Sequence, residues 1–113
     1  MIEINYMRTK EILTTINEYL ATANGDMRER LKVMSTEIVQ LSENDFPKEL
    51  KKEWKFIEST LTKYPETFNH RNEQVLGSME NTLNHIQNKT ACKVATKLYY
   101  LYEEFHFGKY SQI

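Results

Sequence analysis

Three short breaks divide this chain, at Asn24-Gly25, at Asn44-Asp45-Phe46-Pro47 and at Tyr64-Pro65. Apart from these and Gly108 near the end, Gly77 is the only Gly or Pro. Each stretch between breaks carries one apolar stripe at helical spacing. Helices of this length are marginal alone in water, so their stripes must be hidden against one another. The expected fold is all-α: a compact four- or five-helix bundle, mostly antiparallel because the connections are short. At 113 residues it should form one domain over 1–113.

The periodicity predicts a first helix over about 7–22, with Ile12, Leu13, Ile16, Tyr19 and Leu20 on one face. Asn24-Gly25 stops it, and Asp26 is suited to cap the next helix. Met27, Leu31, Met34, Ile38 and Leu41 step at four and three residues as a single stripe. A third helix opens at Asp45-Phe46-Pro47 and runs to Pro65 with Leu50, Trp54, Ile57, Leu61 and Tyr64 inward. A fourth is predicted over about 67–87 with Phe68, Val75, Leu76, Met79, Leu83 and Ile86 on its stripe. A break near Asn88-Lys89-Thr90 leads into a last helix over about 91–105, burying Val94, Leu98, Leu101, Tyr102 and Phe105. No segment alternates with period two long enough to predict a strand.

The fourth helix would have an unusual outer face. His70, Gln74, Gly77, Ser78, Asn81, His85 and Asn88 gather there by the 100° step, polar yet almost uncharged. A helix-interior Gly costs ~1 kcal/mol relative to Ala, which close approach of a partner would offset. This face is therefore a candidate interface. Asn72 falls within the apolar stripe and is read as lying in the helix's first turn. On the last helix Lys89, Lys93 and Lys97 recur at four-residue steps with Tyr100 beyond, and 82–101 contains no Asp or Glu. That ridge could dock an acidic partner, or be answered within the fold by the base-free acidic stretch 33–46. Tyr100, Phe107 and Tyr110 are aromatics that the core stripe leaves over, suited to an interface or to covering the bundle end.

Catalytic patterns fail in turn. Glu103 and His106 have the Glu-x-x-His spacing of di-iron bundles, but no second such pair exists. If one helix joined them, His70 and His85 would stand about 22 Å apart, too far to share a metal. The single cysteine, Cys92, excludes an internal disulfide and reads as a small packing residue. There is no Gly-rich phosphate loop.

A net charge of −1 gives no general attraction to nucleic acid or anionic lipid. No run approaches the ~20 apolar residues of a membrane span. No catalytic residue, cofactor or metal is assigned. The expectation is a cytoplasmic, non-enzymatic module that binds another protein or a second copy of itself, such as a small regulator, adaptor or inhibitor. Its candidate binding residues are Gly77, Ser78, Asn81, His85, Lys89, Lys93, Lys97 and Tyr100. The alternatives are a ligand-binding or enzymatic bundle with a pocket near His85, or weak nucleic-acid binding through Lys89, Lys93 and Lys97.

Overall fold

The structure, a computed structural model, describes residues 6–108 and Tyr110. It is an all-α bundle with one small hairpin. Helix α1 covers Met7–Thr22, α2 Met27–Val33, α3 Ser35–Ile38, α4 Lys51–Leu61, α5 Ser78–His85 and α6 Asn88–His106. Among the described residues there are thus six α-helical segments rather than four or five. The extra one arises because the second stripe bends at Met34. There the Ser35 hydroxyl donates to the Lys32 carbonyl at 2.7 Å, competing with the helical ladder. The stripe still buries Leu31, Met34, Ile38 and Leu41.

Capping follows the sequence in one place and departs from it in another. The Asp26 carboxylate accepts the Glu29 N–H at 3.0 Å, starting α2. That bond, with Arg28 alongside, holds the Asp26 carboxyl below its ordinary value. Asn88 caps α2 as well as beginning α6: its side-chain oxygen accepts the Met27 and Arg28 N–H groups at 2.9 and 3.3 Å. Before α4 the chain makes two 3-10 turns, Glu43–Asp45 and Lys48–Leu50, which carry Phe46 into the core. Helix α4 ends at Leu61, short of the expected Tyr64.

The predicted helix over 67–87 is the main correction. Thr67–Phe68 and Gln74–Leu76 form an antiparallel hairpin, strands β1 and β2, and only Ser78–His85 is helical. The Asn69 side chain accepts the Arg71 and Glu73 N–H groups at 2.8 and 3.0 Å, the turn chemistry Asn favours. Asn72 lies at φ 62°, in the turn and not in a helix. Gly77 is the residue preceding α5, with extended backbone, so the close-approach argument for an interior glycine lapses.

The core gathers Leu13 and Ile16 of α1, Leu31 of α2, Trp54 and Ile57 of α4, Leu83 of α5, and Val94, Leu98, Leu101 and Phe105 of α6. Helix α6 is central, packing on α1, α2 and α4. The Asn17 amide ties α1 to it, donating to the Leu13 and Leu98 carbonyls at 2.8 and 3.2 Å. No helix among the described residues is long and apolar enough to cross a membrane.

Candidate interaction surfaces

The eight residues singled out from the sequence do not share one face. Ser78 donates to the Tyr64 carbonyl at 2.6 Å and Asn81 to the Pro65 carbonyl at 2.8 Å. Thr82, which sequence reasoning overlooked, is fully buried and accepts the Tyr64 N–H at 2.9 Å. Together they clamp the chain leaving α4 onto α5 and fix the base of the hairpin. Their polar groups serve the fold, and the uncharged helical face expected around Gly77 does not form.

His85 is held from two sides. Its Nδ1 lies 2.7 Å from the Asn81 carbonyl, which can only accept, so Nδ1 carries the proton. The ring stacks on Tyr64 with centroids 4.4 Å apart. Beside it lies an open cavity of about 440 Å³, lined by Ser59, Thr60, Lys63, Tyr64, His85 and Thr90 among others. This pocket is built from the end of α4 and the chain just after it, the end of α5, the turn Ile86-Gln87 and the start of α6. Ser78 and Asn81 take no part in it, and no carboxylate or thiol lines it.

Farther along α6, Lys97 donates to Glu53 at 2.7 Å and stands 5.6 Å from the centre of the Phe56 ring. Glu53 of α4 therefore answers the lysine ridge, in place of the acidic stretch 33–46. Within that stretch Glu43 pairs with Lys55 at 3.2 Å and Asp45 with Arg8 at 3.6 Å. On α4 the residues that meet α6 are Glu53 and Phe56, through Lys97, while Ser59 and Thr60 line the cavity. Lys97 and Tyr100 lie beside Glu53, whereas Lys89 and Lys93 lie on the outer side of α6. Lys63, Lys89 and Lys93 are exposed and make no ion pair among the described residues. Phe56 and Tyr100 are exposed aromatics, each beside Lys97. Partial burial and the charges of Glu104 and Glu53 push the Tyr100 hydroxyl up, so it remains a donor.

The second exposed feature is the hairpin. It packs chiefly on itself, and neither outer edge pairs with another strand among the described residues. Phe68 is 54% exposed and Val75 61%. Its tip is ordered by the Asn69 bonds and by Asn69 N–H to the Glu73 carbonyl at 2.9 Å. The hairpin is thus a short arm on a fixed base.

The remaining candidates resolve separately. Tyr110 folds back over the bundle end, its hydroxyl donating to Glu49 at 2.5 Å and its ring meeting Tyr6 and Phe105. Phe107 stays exposed, and Cys92 is exposed where packing was expected. Among the described residues no three His, Cys, Asp or Glu side chains gather to hold a metal. His106 turns away from any such role. Thr14 gives its hydroxyl proton to the Lys10 carbonyl at 2.7 Å and so accepts from His106 Nε2 at 2.8 Å.

Burial, reinforced by the Lys10 ammonium against the opposing pull of Glu18, holds the His106 imidazole below its ordinary value of 6.5. The folded chain then takes up this proton less readily than the unfolded chain. The neutral ring's contribution is complete above about pH 6.5 and is lost as pH falls through the folded value. The urea midpoint should be lower at pH 5.5 than at 7.5, with a smaller difference in His106→Gln. An equal difference in that variant would remove His106 from the account.

Comparison with protein-family models, with curated proteins and with solved structures returns no match.

Proposed function

We propose that this chain is a non-enzymatic protein-interaction module, a small cytoplasmic regulator, adaptor or inhibitor that grips its partner with the β1–β2 hairpin. The observation that carries the reading is the arm itself. A two-stranded ribbon is marginal by itself, and this one leaves Phe68 and Val75 in solvent, with neither edge paired to another strand among the described residues. An extended segment of the partner would add as a third strand, with main-chain bonds for affinity and the two apolar side chains for register.

A photo-crosslinking residue placed at Phe68 and expressed in the source cell tests this. The expected result is a covalent adduct with one partner protein, and loss of that partner's co-purification in a Phe68→Asp, Val75→Asp variant that melts like wild type. A second copy of this chain would appear instead as a dimer that the same variant dissociates. No adduct at position 68, with partners retained by the double variant, would overturn the hairpin reading.

A further inference from the structure

We infer that a cavity at the base of the hairpin receives a Lys or Arg side chain from the partner segment that pairs with the arm. The inference rests on the proposed function for the source of that side chain. The cavity, of about 310 Å³, lies between α3, the chain just after α4, the hairpin base and the start of α5. That is the low end of ligand pockets, which run to about 1,000 Å³, and it suits a single long side chain.

The lining combines two chemistries. Val39, 66% exposed, and Met79 supply apolar surface. Glu66 and Glu80 supply carboxylates, and neither makes an ion pair among the described residues. Among those residues no Lys, Arg or His lines the cavity. The hydroxyls add acceptors and no donors. Ser35 gives its proton to the Lys32 carbonyl at 2.7 Å, and Ser78 gives its own to the Tyr64 carbonyl at 2.6 Å. Gln74 donates to Glu66 at 3.3 Å, a long bond that a charged donor would outcompete.

An anion would therefore meet two carboxylates, and a neutral apolar group would leave the acceptors unanswered. A long cationic side chain matches both chemistries, with its methylene stem on Val39 and Met79 and its charged head among the oxygens. Continuity with the arm names where that side chain comes from. Gln74 belongs to both β2 and the cavity lining, Glu66 immediately precedes β1, and Gly77 follows β2. At about 3.3 Å per residue, a strand added to the hairpin stands within a few residues of the cavity. Main-chain pairing carries little sequence information, so a pocket for one side chain supplies the selectivity.

The test is a titration of the full chain, followed by amide NMR, with n-butylguanidinium and with its neutral isostere n-butylurea. Butylguanidinium should shift the amides of Val39, Gly77 and Glu80, and butylurea should bind more weakly. Glu66→Gln with Glu80→Gln should weaken butylguanidinium about fivefold. Glu66→Gln alone should weaken it about twofold, and serves if the change at Glu80, in the first turn of α5, disturbs folding. Phe68→Asp, Val75→Asp and the distant Glu18→Gln should leave the probe's binding unchanged. Equal binding of butylurea, shifts confined to other parts of the chain, or glutamate variants that bind like wild type would each overturn the cation site and leave the hairpin reading standing. The adduct formed at Phe68 tests the source. Its mapped partner segment should carry Lys or Arg within about four residues of the attachment point. A segment without one overturns the inference but not the hairpin reading, whereas no adduct at all overturns the hairpin reading and with it the source of the side chain.

Discussion

Trp54→Ala is expected to lower the unfolding free energy by about 3–5 kcal/mol, the range for deleting a fully buried large aromatic. Trp54 has no exposed surface, and its ring stacks on Phe46 with centroids 5.1 Å apart. Phe46 in turn meets Phe105 edge-on at 6.1 Å. The substitution would open a cavity where the 3-10 turns, α4 and α6 meet, and three elements cannot all move to fill it. Domains of this size are stable by about 5–15 kcal/mol, so the variant should melt far below wild type or fail to fold. Trp54→Phe is the informative partner. It loses ring area but also removes an indole N–H that finds no acceptor among the described residues. The two effects oppose, and a cost below about 2 kcal/mol is expected. Urea unfolding followed by circular dichroism decides both. If Trp54→Ala costs less than Trp54→Phe, the ring is not the keystone described here.

Why that keystone could be anticipated, and the hairpin could not, comes down to how local the signals are. Trp54 falls on an uninterrupted stripe with Leu50, Ile57 and Leu61, and periodicity alone points it inward. Helix α1 is legible to its ends for the same reason, and α6 to within three residues of its start. Over 67–87 the apolar residues Phe68, Val75, Leu76 and Met79 also fit a helical face, but with a gap at Arg71-Asn72 where that face should be filled. The gap was visible as the misplaced Asn72. Its meaning depended on Asn69 and Asn72 acting together as turn formers, which outweighs a sparse stripe. Asn88 illustrates a different limit: spacing marks it only as part of a break before the last helix, but its side chain caps α2, a helix some sixty residues earlier.

The candidate surfaces divide along the same line. Lys89, Lys93, Lys97 and Tyr100 share one side of one helix, so their association could be read from spacing. Phe56 and Glu53 meet Lys97 only because α4 packs beside α6, a long-range fact that no local pattern contains. Ser78 and Asn81 looked like surface residues because a continuous helix would have turned them outward. Once the chain breaks at Gly77, the same residues face the segment that leaves α4.

That clamp yields the second large effect. Thr82→Val keeps the shape of the side chain but removes the oxygen that accepts the Tyr64 N–H at 2.9 Å and lies 3.4 Å from the Tyr64 carbonyl. Leaving a part-buried N–H without its partner costs about 1–3 kcal/mol. Asn81→Leu removes the neighbouring bond to Pro65, and the pair should not be additive because both act on the same two residues of chain. The loss is expected to be local. Amide exchange at Tyr64 and across 67–76 should accelerate, while the amides of α1 and α6 keep their protection, because the core around Trp54 is untouched. Capture of the hairpin's partner should weaken even though Phe68 and Val75 are intact, since an arm whose base is loose pays more ordering entropy on binding. Uniform acceleration of exchange throughout the chain would instead make Thr82 part of the global core, and unchanged exchange over 67–76 would show that the hairpin does not depend on the clamp.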